Sequence, residues 1–320
     1  MTIVVAMEDA VLVEEAGSAN QRLVDHRPEC VAASASALFC GTVEAGVQRS
    51  EDGGESWDRV APTVITDRVT AVAIDPRDPA VVWVGTEPSA LFRSSDGGDS
   101  WEALPALTDL ETADEWSFPP RPHTHHVRWV EPDPHEPDRL YVGIEAGALL
   151  VSPDGGQTWM ERPEGSRYDN HQLATHPTAP GRVYSAAGDG YAESMDFGET
   201  WDHPQDGLDH GYVWSVAPDP GDPGTVLVSA ARGAYAAHSQ PAESYVYRRA
   251  GEADWERVEG LPTGEGVIRA VLAPVDDATF VAANNRGVFR TTDTGDTWTA
   301  LDVGWADRFD EQTVRGLAVV

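Results

Sequence analysis

The sequence predicts an all-β fold, a single seven-bladed β-propeller with six blades as the alternative count. Three observations predict it: an eight-residue turn motif returns along the chain, each copy follows three strand-like runs, and the two ends supply the parts of one further blade. With 320 residues, 41% of them hydrophobic, the chain is long for one non-repetitive domain, so internal repetition is the first thing to test.

At the N-terminus, strands are expected over Ile3–Met7, Val11–Glu15 and Arg22–His26. Six blades follow near 29–62, 66–105, 124–163, 169–204, 210–260 and 265–302. The second of these shows the pattern: an innermost strand from Val69 to Ile74, a second from Val81 to Thr86 and a third from Ala90 to Ser94. All are apolar or alternating runs bounded by Gly, Pro and Asp. No helix is expected. The last run, Thr313–Val320, resembles the innermost strands Val69–Ile74 and Val267–Leu272. A seventh blade, 2–27 plus 313–320, therefore closes the ring from three N-terminal strands and one C-terminal strand and hides the sheet edges.

The turn motif has five good copies, with Asp52, Asp96, Asp154, Asp196 and Asp293 at the third position and Trp57, Trp101, Trp159, Trp201 and Trp298 at the eighth. A sixth, around Ala253-Asp254-Trp255, keeps the Trp and loses the glycines. The chemistry explains the choice of residues. Asp accepts backbone N–H bonds, Gly supplies a positive φ, the Ser or Thr hydroxyl ties the two sides, and Trp covers the turn. The role expected is structural, a staple between the third and fourth strands. The pattern S-x-D-x-G-x-T-W resembles the Asp-box of BNR-repeat, sialidase-like propellers, a group within the WD40/YVTN/BNR-like repeat proteins, and the resemblance covers essentially the whole chain.

Lys plus Arg number 22 against 54 Asp plus Glu, a formal net charge of -32. Such a surface repels nucleic acid and anionic membranes, which excludes both as partners. The acidity is spread along the whole length, as expected of a salt-in halophile whose molar salt screens the repulsion. The N-terminus lacks a basic segment and meets Glu8 and Asp9 early, and no run approaches membrane-spanning length, so a cytoplasmic protein is expected. Cys30 and Cys40 lack metal or redox spacing and read as buried free thiols.

Function is expected on the face opposite the stapled turns, where loops from every blade converge on the central channel. Three consecutive blades present histidine at the entry to the channel strand: His125 and His126, then His171 beside Asp169, then His210. Arg128, His171 and Trp214, aligned on the Pro motif that follows each, and Arg315 in the matching C-terminal run are expected to share one register. Arg269 and Tyr212 lie at or beside channel strands. Loops between second and third strands add Glu44, Glu87, Glu145, Asp189 and Arg232, and a long segment, 233–243, carries His238. A second insertion, 108–120, is expected over the same rim. Neutral imidazoles near carboxylates predict a divalent metal in the channel on His125, His171 and His210. The alternatives are a polar ligand site without metal, and histidines satisfied by backbone at the channel lip.

The resemblance implies three kinds of function. Sialidases use an arginine triad for a substrate carboxylate, a Tyr–Glu nucleophile pair and an Asp acid. Arg128, Arg269 and Arg315 with Tyr212 match part of that set, although the Arg-Ile-Pro motif is absent and sialidases have six blades. Xyloglucanase-type glycosidases place their site between two rings, whereas this chain has one. Photosystem II assembly factors are single seven-bladed rings that bind partner proteins without chemistry, and single-ring architecture fits them best. The leading expectation is a module binding a small molecule, glycan or protein. The alternative is a glycosidase- or sialidase-like hydrolase or lyase using His125, His171 and His210, with Glu145 or Asp169 as proton carrier.

Overall fold

A computed structural model describes residues 1–15 and 18–320. Its strands form seven antiparallel sheets arranged as the blades of a closed ring. Blades 1 to 6 start on the innermost strands Pro28–Ala33, Arg68–Ile74, Val127–Pro132, Asn170–Thr175, Tyr212–Asp219 and Val271–Asp276. Blade 7 has its innermost strand, Gly316–Val319, at the C-terminus and its other three at the N-terminus, Thr2–Ala6, Val11–Glu15 and Ser18–Arg22. Gly316–Val319 packs against both Val271–Asp276 and Pro28–Ala33, which closes the circle.

Both faces of each blade are buried against neighbours. The second strands Leu38–Thr42, Leu140–Ile144, Val183–Ala187 and Thr279–Asn284 are therefore buried along their whole length. The core is correspondingly divided into seven apolar clusters, one in each gap between adjacent blades. The residues Tyr141, Leu149 and Val151 of blade 3, for example, meet Leu173, Val183 and Ala192 of blade 4. Cys30 and Cys40 are buried free thiols in two of these gaps.

The repeated turns sit between third and fourth strands. The Ser50 hydroxyl donates to Asp52 Oδ1 and accepts from the Gly54 amide, both at 2.8 Å. Asp52 Oδ1 accepts the Ser56 amide at 2.9 Å, and its Oδ2 accepts the Ser56 hydroxyl at 2.5 Å. The indoles of Trp57, Trp101, Trp201 and Trp298 each donate to the carbonyl of the turn's second glycine position, whereas Trp159 Nε1 is buried without a partner. In the degraded sixth turn, Trp255 donates instead to Pro204 O at 2.7 Å, tying blade 5 to blade 4.

Four details differ from the sequence expectation. The outer strand of blade 7 is Ser18–Arg22 rather than Arg22–His26. Its register runs from Glu15↔Ser18 to Val11↔Arg22, and the chain turns at Leu23, whose φ is 48°. The fourth strand of blade 4 shrinks to one bridge, Glu193↔Asp202. The 233–243 segment contains a short helix, Ala234–His238. The 108–120 insertion carries two single-turn 3-10 helices, Leu107–Asp109 and Ala113–Glu115. No helix among the described residues is long and apolar enough to cross a membrane.

Candidate functional site at the channel mouth

Five innermost strands break register near their start, each by one extra residue: Glu29, Thr70, Arg128, His171 and Trp214. A β-bulge leaves that residue out of the ladder and re-aims its side chain, here toward the ring axis. Arg269 and Arg315 stand in the same place just before the remaining two innermost strands. One side chain per blade thus encircles the channel. All seven line a cavity of about 580 Å³ at its mouth or the narrow floor beneath it. The mouth is opposite the repeated turns, because each third strand runs parallel to the first and its turn falls at the far end. Three of the ring residues also link neighbouring blades. Thr70 Oγ1 donates to Val127 O (2.6 Å), His171 Nδ1 to Val213 O (2.7 Å) and Arg269 Nη1 to Val314 O (2.9 Å). Each acceptor is the carbonyl immediately before the next blade's ring residue.

In a chain of net charge -32, five of the 22 arginines line this one cavity: Arg68, Arg121, Arg128, Arg269 and Arg315. Four have carboxylate partners. Arg68 pairs with Glu29 at 2.6 Å, Arg121 grips Glu87 through two bonds of 2.7 and 2.6 Å, Arg128 lies 3.5 Å from Glu145, and Arg315 lies 3.2 Å from Glu8. Arg269 has none among the described residues. It is 1% exposed and stacked on Trp214 at 3.7 Å, with Arg128 on the same indole at 4.7 Å. Burial, then the nearby Arg128 and Arg315, push its guanidinium well below the usual arginine range.

His238, delivered by the short helix, accepts from Arg269 Nε at Nδ1 (3.3 Å). Guanidinium nitrogens only donate, so the network assigns the neutral ring's proton to Nε2, which donates to Tyr212 Oη at 3.1 Å. Burial and then Arg269 hold His238 neutral, down to about 2. The Tyr212 hydroxyl proton is left to donate into the cavity, and burial, with Glu145 and Asp169 beyond it, pushes that phenol upward.

Beside Arg128 lie Glu145, Asp169 and His171, each offering one ligand atom within 4.8 Å of the others. Burial opposes ionisation of Glu145, but the bond from His126 Nε2 at 3.0 Å, with His171 and Arg128 nearby, holds it down to about 2. Asp169 is shifted the other way, raised by burial and by Glu145. Burial lowers His171. Since Nδ1 of His171 donates to Val213 O, Nε2 carries the lone pair. It sits 3.7 Å from Asp169 Oδ2, buried and without a hydrogen-bond partner.

No protein-family model and no curated protein matches the sequence. Solved structures do. An ancestral GH74 enzyme superposes with a TM-score of 0.66 at 16% identity over 88% of this chain and 40% of its own. The GH74 enzyme of Niastella koreensis gives 0.67 at 17% over 92% and 53%, and YCF48 bound to D1 peptide gives 0.62 at 17% over 87% and 83%. The shared property is the β-propeller fold. The chain spans about half or less of either GH74 enzyme.

The propeller brings nine of the expected residues to the cavity wall: His126, Arg128, Glu145, Asp169, Tyr212, Trp214, His238, Arg269 and Arg315. His171 lies at its floor. The expected histidine trio does not converge. His125 faces away from His126, against the Ser89 amide (3.4 Å) and the Trp116 ring, because neighbours in an extended chain point to opposite sides. His210 is bonded to Tyr247 Oη at 2.6 Å and stacked on Tyr245, both on the third strand of its own blade. Glu44 pairs with Arg27, Glu87 serves to hold Arg121 and Arg68, and Asp189 accepts the Tyr168 and Asp169 amides behind the loop. Arg232 is exposed with no hydrogen bond or ion pair among the described residues. Sequence reasoning missed Glu8, Glu29, Arg68, Thr70 and Arg121, whereas Phe118 and Tyr235 come from the two segments, 108–120 and 233–243, expected on this face. Two signals were present: Glu29 and Thr70 stand five residues before Ser34 and Asp75, as Arg128 stands before Asp133, and Glu8 occupies the second-to-third-strand loop of blade 7.

Proposed function

We propose that the chain is an Asp-box propeller that binds a small carboxylate-bearing, hydroxyl-rich ligand, such as a sugar acid, at its channel mouth. The observation that carries this reading is Arg269, a buried guanidinium without a carboxylate partner that shares one cavity with Arg128 and Arg315. An unpaired buried charge is costly, and a bound carboxylate relieves it with paired, charge-assisted hydrogen bonds. Glu145, Asp169 and the Tyr212 hydroxyl supply acceptors and a donor for ligand hydroxyls, while Trp214 and Phe118 give the walls apolar faces. Titration calorimetry with glucuronate, N-acetylneuraminate and neutral glucose, run in molar KCl, tests it. The acids are expected to bind and glucose not, and Arg315→Ala and Arg269→Gln are each expected to weaken the acids at least tenfold. Equal binding of glucose, or wild-type affinity in both variants, removes the reading.

A hydrolase or lyase reading is supported by Glu145 and Asp169, whose nearest ligand atoms come within 4.8 Å and whose protonation is pushed in opposite directions. Retaining glycosidases place their carboxyl pair about 5–5.5 Å apart, one ionised and one able to give a proton. The same sugar acids offered as nitrophenyl glycosides separate the two readings: release of nitrophenol that Asp169→Asn abolishes, with ligand binding kept, favours chemistry.

A further inference from the structure

We infer that Glu145, Asp169 and His171 hold a divalent first-row transition-metal cation at the floor of the channel mouth. Each of the three has one polar atom anchored by the protein and one left over. His126 and Arg128 both address Glu145 Oε2, so Oε1 has no partner among the described residues. Asp169 Oδ1 accepts the Ala146 amide at 2.9 Å, leaving Oδ2. His171 Nδ1 is fixed on Val213 O, leaving Nε2. Outer bonds of this kind orient metal ligands and fix the imidazole tautomer.

The decisive atom is His171 Nε2. The side chain is 0% exposed, and this atom has no hydrogen-bond partner although it lies beside the two carboxyl groups, 3.7 Å from Asp169 Oδ2. A lone pair facing negative oxygens in a buried place is repulsive, and a cation between them turns all three contacts attractive. The spacing admits one. Ligand atoms about 2.1 Å from a common metal stand roughly 3.0–3.5 Å apart, so the 3.7 Å between Asp169 Oδ2 and His171 Nε2 needs to close by only a few tenths of an ångström. One imidazole with two carboxylates suits manganese, iron, cobalt or zinc better than calcium or magnesium. The remaining coordination positions face the cavity and leave room for water or a ligand oxygen.

The inference goes beyond the anion reading and does not depend on it, since Arg269 and Arg315 take no part in the set. Chelator-stripped protein titrated with Mn²⁺ and with Zn²⁺ in molar KCl, with metal content checked by elemental analysis, tests it. One equivalent per chain is expected. Asp169→Asn and His171→Gln are each expected to weaken it at least tenfold, and His203→Gln, on an exposed loop, to leave it unchanged. Stripped variants that melt like the stripped wild type exclude misfolding, and Asp169→Asn, at the partly exposed cavity wall, keeps the test open if the buried His171 variant misfolds. Arg315→Ala is expected to lose glucuronate and keep the metal, so failure of one reading is distinguishable from failure of the other. Absence of saturable binding by the wild type, or undiminished binding by Asp169→Asn, overturns the site.

Discussion

At the scale of single residues, the turn aspartates show how one side chain serves as a local anchor. Hydrogen bonds from Ser56 and Ser50 hold Asp52 down to about 2, and equivalent bonds hold Asp96 and Asp293 there. The sign follows from linkage. A carboxyl lowered on folding contributes stability that is present above its ordinary value of 3.8 and is lost as pH falls through about 2. Thermal melts in molar KCl should therefore drop steeply between pH 4 and pH 2. Asp293→Asn should start lower at pH 7 and fall less over that window, because its amide has no proton to take up. Parallel pH profiles for the two proteins would show that the turn carboxylates do not govern acid unfolding.

At the scale of the element, each turn carries two adjacent left-handed positions with different tolerances. The first is Gly53, Gly97 or Gly155 in three copies but Phe197 and Thr294 in two, with φ of 61° and 57°. The second is glycine in all five, because it packs on the preceding blade. A Cβ on Gly198 would sit 2.9 Å from Tyr141 Cε1, on a ring whose hydroxyl is pinned to Asp133, whereas one on Gly97 meets nothing within 4 Å. Gly198→Ala is expected to destabilise by about 2 kcal/mol or more, through overpacking added to an unfavourable φ. Gly97→Asn should stay within about 1 kcal/mol of wild type, since Asn tolerates the left-handed region. Denaturant midpoints check both, and the prediction fails if the two variants rank the other way. The bulges at the start of the channel strands are the second kind of element device. They cost a ladder position in each of five strands and give the ring a set of inward side chains that regular pleating would have turned sideways into the gaps between blades.

At the scale of the molecule, closure couples stability to the site. Ile3↔Val319 to Ala6↔Gly316 joins the ends of the chain, Arg315 N donates to Ala6 O at 2.7 Å, and the same C-terminal run supplies Arg315 and Thr313 to the cavity wall. Removing residues 313–320 would expose the edge of Thr2–Ala6 and open the apolar gaps on both sides of blade 7. The truncated chain is expected to melt well below the full one and to lose glucuronate binding together with stability. Retention of the full melting temperature would mean that the ring does not depend on this strand.

The repeats were legible because each turn is made by eight consecutive residues whose bonds are local. A contiguous motif repeated at blade spacing therefore announces the blades that carry it, and the likeness of Thr313–Val320 to the innermost strands announces the shared closing one. Burial of both blade faces was legible too, as continuous apolar runs in the second strands. The register of channel residues was half legible: Arg128, His171 and Trp214 precede Pro134, Pro177 and Pro220 at one spacing and carry basic or aromatic side chains, whereas Thr70 precedes Pro76 at that spacing without such a side chain and Glu29 has no matching Pro. Which of these side chains meet is set by the folded ring alone. His125 and His126 are adjacent in sequence, yet one faces Trp116 and the other Glu145, because a shift of one residue in an extended chain reverses direction. Arg128, Arg269 and Arg315 are far apart in sequence and share one cavity only because seven blades close into a circle. Local bonding chemistry can be written in a short stretch of chain, but convergence on an axis depends on the ring as a whole.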